Sequence, residues 1–229
     1  MMKRFFVIAL FVLGLGQLYA QPVRDTAWTK VGYFGLKLTQ VSLSSWSAGG
    51  ESALAFDSQI TYSADFKRDR QLWQNRLELG YGLTKNDGKS ARKTNDKIYF
   101  ASTYGYQIYK TLYWSALLNF NTQFAKGYDY NIEDSDFISK FMAPGYLMIG
   151  TGVTWSPNKI FTATFTPASW RGTIVADSRL SDEGAFGVDK GKHLLSEFGA
   201  NLKAEVNYEF LPNMKVYSRL ELYSNYLKD

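Results

Sequence analysis

Apolar and polar positions alternate strictly over the stretch Leu194–Lys228, which is divided in two by Leu211-Pro212-Asn213. Every second residue from Phe198 to Phe210 is apolar, and the residues between them are charged or amide side chains apart from one glycine. A period of two predicts strands that have one apolar and one polar face. The turn between the two runs therefore predicts a long antiparallel hairpin.

The charges in this hairpin also predict its register. If Phe210 lies opposite Met214, three pairs of opposite charge face each other across the strands, namely Glu209 with Lys215, Glu205 with Arg219, and Lys203 with Glu221. Cross-strand pairs of opposite charge are favourable, so this register is favoured over a slip by two residues.

The same reading predicts nine strands along the chain. Most are longer than the roughly 5–6 residues of a usual globular strand and match the about 9–11 residues that cross a bilayer at a tilt. The predicted strands are Val31–Leu43, Ser52–Phe66, Gln71–Thr84, Lys97–Tyr109, Leu112–Phe124, Gly145–Trp155, Ile160–Pro167, Leu195–Phe210 and Met214–Tyr226.

The connections between these strands give the strongest indication of fold class, because after Ser44–Glu51 short and long ones alternate. The short ones are Lys67–Arg70, Lys110–Thr111, Ser156–Lys159 and Leu211–Asn213, and the long ones are Lys85–Asp96, Ala125–Pro144 and Ala168–His193. Outer-membrane barrels combine tight periplasmic turns with long external loops. We therefore predict an all-β fold, an antiparallel transmembrane β-barrel of about 10–12 strands when complete.

The N-terminal segment predicts export. Lys3 and Arg4 precede an apolar run that ends near Leu18, and Ala20 offers a cleavage site, so residues 1–20 are interpreted as a signal peptide. Residues 21–30 then form a periplasmic lead, and residues 31–229 form a barrel in the bacterial outer membrane. Nine strands are an odd number, whereas single-chain bacterial barrels have an even one. Either the pattern hides a further strand or the barrel is truncated at its C-terminus, and we favour truncation.

Composition narrows the function classes. The chain has no Cys, which excludes a disulfide framework and a lipoprotein anchor, and the formal net charge of +5 is too mild to favour nucleic acid. Aromatic residues make up 17% of the chain, which suits the interfacial girdles of a membrane barrel. The expected partners are outer-membrane lipid, lipopolysaccharide and, during biogenesis, the barrel-insertion machinery, and we expect no cofactor and no metal.

One segment resembles a known family. The stretch Gln40–Ser52 contains Trp46-Ser47-Ala48-Gly49-Gly50-Glu51, which is similar to the Ser-Asn-Trp-Ser-Ala-Gly-Gly-Glu-like signature of an uncharacterised outer-membrane β-barrel family of Bacteroidota, a domain of unknown function. Here Ser45 stands where the family has Asn. The resemblance implies an outer-membrane barrel whose relatives continue past this C-terminus, and it implies no activity.

Two features outside the strands have alternative interpretations. One is the predicted external turn, which contains Trp46, Gly49, Gly50 and Glu51. It is either a recognition feature folded over the lumen or a simple turn in which Gly supplies positive φ and Trp is an interfacial anchor. We favour the simple turn. The basic loop Lys85–Lys97 would meet lipopolysaccharide phosphates or would simply be solvated.

Catalysis has little support in this sequence. Barrel enzymes generally use a His beside Ser, Asp or Asn, and the only His, His193, is followed by Ser196 at a spacing that does not place both on one strand face. We therefore predict no catalytic residue and a non-enzymatic protein, with a barrel hydrolase as the least favoured alternative.

The charges predicted to face the lumen are the best functional indication. They form a predicted network that we expect to close a narrow lumen by ion pairing. A structural or surface-binding barrel is therefore favoured, and a narrow channel or transporter for small or apolar solutes is the alternative. The members of this network are Asp57, Arg76, Glu78, Lys203, Glu205, Arg219 and Glu221, with Asp65 nearby.

Overall fold

The computed structural model describes residues 27–43, 50–132, 136–158, 160–212 and 214–227. They form an all-β fold whose main feature is a nine-stranded antiparallel sheet. Its strands follow one another in chain order, and a separate two-stranded sheet (β6 and β7) lies between the fifth and sixth of them. The bounds are β1 (Trp28–Val41), β2 (Ala53–Arg68), β3 (Gln71–Asn86), β4 (Arg92–Tyr109), β5 (Leu112–Thr122), β6 (Gly127–Tyr128), β7 (Phe137–Ser139), β8 (Gly145–Trp155), β9 (Phe161–Ile174), β10 (Leu194–Leu211) and β11 (Met214–Asn225).

All nine predicted strands are present, and two of their bounds differ markedly from the prediction. Strand β4 begins at Arg92 instead of Lys97, so the long loop predicted over Lys85–Asp96 is wrong and the connection is 87–91. Strand β9 continues past Pro167 to Ile174. Near Pro167 its pairing with each neighbouring strand, β8 and β10, shifts register, and these shifts accommodate a residue that has no N–H to donate.

The predicted hairpin register is largely confirmed. Glu209 lies opposite Lys215, Glu205 opposite Arg219, and Lys203 opposite Glu221. At the turn, however, a bulge places Leu211 instead of Phe210 opposite Met214, so that part of the prediction is wrong. Two of the three pairs form ion pairs, at 3.4 Å for Lys215 and Glu209 and 2.9 Å for Arg219 and Glu205.

The nine-stranded sheet is curved but not closed. Its edge strands are β1 and β11, which are not hydrogen bonded to each other within the described residues. Side chains of β2 to β4 nevertheless line the same cleft as side chains of β9 to β11, so the two ends of the sheet face each other. We call the side of the sheet that lines this cleft the inward face and the other side the outward face.

The outward face carries large apolar side chains that no other part of the described protein covers. Phe34 is 65% exposed and Leu38 is 70% exposed on β1, and the same holds at the opposite edge for Leu220 and Leu222. Register places these residues in continuous rows across the sheet, for example Phe34 opposite Ile60. The alternation in the sequence therefore produces an outward apolar surface and not a buried core.

The inward face is polar, and its most buried side chains are small and hydroxylated. Ser115 Oγ donates to Thr154 Oγ1 at 2.8 Å, and Thr154 Oγ1 lies 3.0 Å from Thr164 Oγ1, which links β5, β8 and β9. Asn201 and Thr166 on β10 and β9 are also buried. Polar groups thus occupy the inner side of the sheet, and several of them, such as Ser115 and Asn201, form hydrogen bonds within the wall.

A compact apolar cluster lies outside the sheet, in what we call the cap, the described residues of 123–144 and 175–193. The cap contains the short strands β6 and β7, helix α1 (Ser178–Asp182) and a 3₁₀ helix (Ala185–Gly187). None of the described helices is long and apolar enough to cross a membrane. The buried members of the cluster are Ala143, Val175, Leu180 and Val188, and Phe137, Ala185, Phe186 and Leu195 pack against them.

The cap and the short turns lie at opposite ends of the sheet. Connections 42–52, 87–91, 123–144 and 175–193 are at the cap end, and 69–70, 110–111, 156–160 and 212–213 are at the turn end. Short and long connections therefore still alternate along the chain, with one exception. Connection 87–91 at the cap end is as short as connection 156–160 at the turn end. The two predicted loops Ala125–Pro144 and Ala168–His193 contain the ordered elements of the cap, which sequence alternation could not detect.

Candidate functional site

A polar cleft of about 910 Å³ lies on the inward face, in the half of the sheet nearest the turn end. Its two walls come from β2, β3 and β4 on one side and from β9, β10 and β11 on the other. Basic residues outnumber acidic ones among the ionisable side chains that line it. Those side chains are Asp65, Arg76, Glu78, Lys97, Lys203, Glu205, Lys215 and Arg219, with Tyr99 and Tyr217 beside them.

The first wall has one carboxylate held by two cations, which we call cluster A. Glu78 on β3 accepts a hydrogen bond from Nε of Arg76 through Oε1 and one from Nζ of Lys97 through Oε2. Alternation places Arg76 and Glu78 on the same face of β3, and Lys97 reaches Glu78 from the adjacent strand β4. The three charges sum to +1.

The opposite wall repeats this arrangement in what we call cluster B. Glu205 on β10 pairs with Lys203 at 3.0 Å and with Arg219 of β11 at 2.9 Å. Tyr217 also donates its hydroxyl to Glu205 at 2.8 Å. The charges of cluster B again sum to +1, so the cleft lies between two clusters that each carry an excess cation.

Five members of the predicted lumen network line this cleft, and two do not. Asp57 accepts a hydrogen bond from Asn95 Nδ2 at 3.0 Å, and Glu221 accepts one from Asn201 Nδ2 at 3.2 Å, each outside the cleft. Asp65 lies in the cleft and accepts a hydrogen bond from the backbone of Asn75. Alternation predicted the correct face of the sheet for every member of the network. It did not predict where along the strands, between the cap end and the turn end, each member lies.

The expected closure of the lumen by ion pairs is not seen between the two walls. Every ion pair that the structure describes in the cleft joins residues of one strand or of neighbouring strands, as in clusters A and B. Neighbouring strands are about 4.7–4.9 Å apart, so their charges pair before a partner across the cavity is reached. The space between the walls therefore stays open.

Four ionisable residues of the cleft were neither in the predicted network nor its neighbour Asp65, namely Lys97, Tyr99, Lys215 and Tyr217. Lys97 is the last residue of the predicted basic loop and the first of the predicted strand Lys97–Tyr109, whereas in the structure it lies inside β4, which begins at Arg92. Counting the alternation of β4 back from Thr103 would have placed Tyr99 and Lys97 on the inward face. The same counting along β11 would have found Lys215 and Tyr217.

Other residues of the predicted basic loop attach the cap to β4. Lys93 Nζ pairs with Asp96 at 2.6 Å and donates to Ala125 O at 2.9 Å, and both side chains are largely buried. Asp96 also accepts backbone hydrogen bonds from Phe124 and Ala125, at 2.7 and 3.0 Å. These charges hold the start of 123–144 against β4 and are not available as a free basic surface.

His193 closes the base of the cap. Its Nδ1 lies 2.7 Å from Val175 O and donates to it, and the N–H of Val175 donates to His193 O at 2.9 Å. The two ends of 175–193 are thereby joined where β9 ends and β10 begins. The geometry gives His193 a structural partner at the base of the cap.

The predicted external turn lies only partly within the described residues. Trp46 and Gly49 fall outside them, whereas Gly50 has a φ of 130°. Glu51 pairs with Lys89 at 2.7 Å and accepts a hydrogen bond from Asn86 at 2.7 Å. These contacts tie connection 42–52 to connection 87–91, and the hydrogen bond from Lys89 holds the pKa of Glu51 below its usual value.

The charged contacts of the cap centre on Asp177, the N-cap residue of α1. Its Oδ1 accepts the N–H of Leu180 at 3.0 Å, and its Oδ2 pairs with Lys140 at 2.5 Å. Arg179 donates to Phe137 O and lies over the Phe137 ring. Asp177 therefore links α1 to the other half of the cap through one carboxylate.

We expect the cap to lose stability in acid because of Asp177. The hydrogen bond from Lys140, and then the N–H of Leu180, lower the pKa of Asp177. A group with a lowered folded pKa contributes stability above its unfolded pKa, about 3.9, and loses it as the pH falls through the folded pKa. Hydrogen-exchange protection of the Leu180 amide, corrected for intrinsic pH dependence, should therefore fall below about pH 4.

The matched variant for this prediction is Asp177→Asn. The Asn side chain retains an oxygen that accepts from Leu180 but has no charge for Lys140. Protection of Leu180 in this variant should therefore be lower at neutral pH and should not change between pH 5 and pH 3 by the amount seen in the parent. An equal loss of protection in both proteins would contradict the role given to Asp177.

An apolar groove of about 790 Å³ lies on the outward face. Its floor is a row of small residues that register places side by side, Ala116, Thr151 and Ala168. The hydroxyl of Thr151 donates to Ser115 O at 3.1 Å, so the floor presents few free polar atoms. No polar side chains converge in this groove, and it differs in this respect from the inward cleft.

Within the residues that the structure describes, His, Asp and Glu side chains form no group of three or more that could hold a metal ion. Two of the three carboxylates of the cleft, Glu78 and Glu205, are each paired with two cations, which opposes metal binding at those positions.

Comparisons with known proteins identify one family. The model of a family described as "Protein of unknown function (DUF3078)" matches residues 38–128, which run from the end of β1 to β6. No curated protein matches the chain, and no solved structure matches it. Residues 38–128 thus contain a DUF3078 domain, in agreement with the expected uncharacterised family, and the match assigns no activity.

Proposed function

We propose that this chain is a non-enzymatic β-barrel protein of the bacterial outer membrane, with a structural or surface-binding role. The observation that carries the proposal is the outward face, on which large apolar side chains are exposed from β1 to β11 while the inward face is polar. A sheet in water buries its apolar face, whereas a barrel in lipid turns that face outward. Lipid is the covering that makes this surface favourable.

The arrangement of the two ends of the sheet gives the proposal an orientation. Outer-membrane barrels have short turns in the periplasm and long segments outside the cell. The cap would accordingly face the exterior, and it exposes apolar side chains there, including Ile132 at 61% and Ile138 and Phe141 at 53%. Exposed apolar side chains on a rigid support favour a surface-binding role for the cap.

The Trp46–Glu51 segment adds support of a different kind. Its similarity to the signature of an outer-membrane barrel family of Bacteroidota agrees with the match of residues 38–128 to an uncharacterised family. We propose that the chain is a barrel of that group, exported by the signal peptide assigned to residues 1–20.

Membrane location and orientation can be tested by labelling single cysteines, because the natural chain has none. Lys190→Cys introduces a thiol in the cap, and Gln71→Cys introduces one at the turn end; both positions are exposed. On intact cells, a membrane-impermeant maleimide should label Lys190→Cys and not Gln71→Cys. Both should react once the outer membrane is permeabilised.

The same cells supply the controls for this experiment. The protein should fractionate with the outer membrane and migrate faster on a gel when it is not boiled, as folded barrels do. Recovery of the protein in the soluble periplasmic fraction, or labelling of Gln71→Cys on intact cells, would overturn the proposal.

A second candidate function is a narrow channel or transporter for small solutes. The observation that favours it is the open cleft, in which ion pairs stay on one wall and leave about 910 Å³ between clusters A and B. A wall lined by excess cations favours anions among permeating solutes. The ion selectivity of cleft variants distinguishes this role from a purely structural one.

A further inference from the structure

We propose that the cleft between clusters A and B is a binding site for a small organic dianion that carries a carboxylate or phosphate at each end. The inference rests on the proposed barrel, since a water-filled inward face is needed for the ligand to enter. It goes further by naming the ligand class that this face recognises and the residues that bind it.

The first argument is that the cationic side chains of both clusters are more exposed to the cleft than the carboxylates with which they pair. In cluster A the Arg76 and Lys97 side chains are 56% and 45% exposed, whereas Glu78 is 15% exposed. In cluster B, Arg219 is 43% exposed and Glu205 is 26% exposed. Each carboxylate therefore lies behind its cations, and a ligand in the cleft meets N–H donors first.

The second argument is the number of donors left after the ion pairs are made. Arg76 donates to Glu78 through Nε, and within the described residues neither of its Nη groups donates to a carboxylate. Arg219 gives Nε and one Nη to Glu205. A guanidinium has five N–H donors in a planar fork, so both arginines keep donors for a carboxylate or phosphate.

The third argument is the position of the two clusters. They lie on opposite walls of one cavity, with β3 and β4 on one side and β10 and β11 on the other. One anionic group cannot neutralise both excess charges at their separate positions, whereas a ligand with an anionic group at each end can. The cleft volume of about 910 Å³ falls within the range of small-molecule sites, about 300–1,000 Å³.

The rest of the lining suits a polar ligand. Lys215 is paired with Glu209 at 3.4 Å, so it adds little to either cluster. The other polar residues that line the cleft are one carboxylate, Asp65, and a set of amide, hydroxyl and phenol groups that includes Gln74, Tyr99, Thr103, Thr162, Asn207 and Tyr217. Such groups accept and donate hydrogen bonds along a ligand whose ends are held by the arginines.

Binding can be measured by calorimetry on the full chain folded in detergent micelles at low salt. The probes are succinate, with two carboxylates, acetate, with one, and 1,4-butanediol, a neutral chain of the same length. Succinate should bind at least tenfold more tightly than acetate, and butanediol should not bind. Arg76→Gln and Arg219→Gln should each weaken succinate binding about tenfold or more, since a hydrogen bond to a charged group is worth about 1.5–3 kcal/mol.

Controls separate a lost site from a lost fold. Lys190→Gln removes a cation from the cap and should leave succinate binding unchanged, and Arg76→Lys keeps the charge and should retain part of it. Each variant is used only after heat-modified migration shows that it is folded. Succinate binding that is absent in the folded parent, or unaffected by both Gln variants, overturns the inference but not the barrel. Failure of the cysteine-labelling experiment overturns the barrel itself.

Discussion

Replacing Ile60 with Arg should destabilise the protein by about 2–4 kcal/mol, whereas Thr61→Arg should change its stability by less than about 1 kcal/mol. Ile60 lies in the middle of β2 on the outward face and is 42% exposed. At the centre of a bilayer a lipid-facing Arg loses its hydration without gaining a partner. Thr61 faces inward and lies opposite Glu78, which attracts a neighbouring cation.

The measurement is urea unfolding of both variants after refolding into phospholipid vesicles. The two sites are adjacent in the sequence and receive the same side chain, so only the face of the sheet differs. A sheet in water would show little difference between the two variants, because Ile60→Arg would remove an exposed apolar side chain at little cost. Equal effects of the two substitutions would therefore contradict a lipid-covered outward face.

Reversing two charges of the cleft should reverse the ion selectivity of the protein in a planar bilayer. The double variant Lys97→Glu and Lys203→Glu changes clusters A and B from +1 to −1 each. The parent should favour chloride over potassium, and the reversal potential in a potassium chloride gradient should change sign in the variant.

Lys190→Glu is the control for this experiment, because it makes one of the same substitutions on the cap, outside the cleft. Its reversal potential should remain that of the parent. Folded parent protein that gives no conductance steps would exclude the channel and leave the structural or surface-binding role. Steps whose selectivity does not respond to the double variant would place the conducting path elsewhere.

Alternation predicted the strands well because each residue of a strand points to one side or the other. It predicted the pairing of Glu205 with Arg219 for the same reason, since register follows once the faces and charges are known. It could not predict the bulge that places Leu211 opposite Met214, because an extra residue at a turn leaves the alternation on either side intact.

Strand limits were missed where tertiary contacts override local preference. The polar stretch from Arg92 to Asp96 was predicted as loop, yet it belongs to β4 because Lys93 and Asp96 pair with each other and bind the backbone of 123–144. Pro167 was predicted as a strand end, yet its strand continues through a register shift. Both depend on segments that are distant in the chain.

The sequence predicted that charged side chains line the inward face, but it did not predict correctly which of them lie in the cleft. The faces of Arg76, Glu78 and Glu205 follow from alternation, whereas their meeting around one cavity depends on the curvature of the sheet. Curvature and strand stagger set the height at which side chains face each other, and neither is encoded by a period of two. Asp57 and Glu221 were therefore included although they lie outside the cleft, and Lys97 was left out.

The composition of the cap cluster determines when it can form. Ala143 precedes β8, whereas Val175, Leu180 and Val188 follow β9, so the β8–β9 hairpin separates the residues that must meet. Closing that distance costs loop entropy until the two strands have paired and brought 123–144 beside 175–193. The cap is thus expected to fold late. Protection of its amides from hydrogen exchange during folding would report that the strands of the neighbouring wall have already paired.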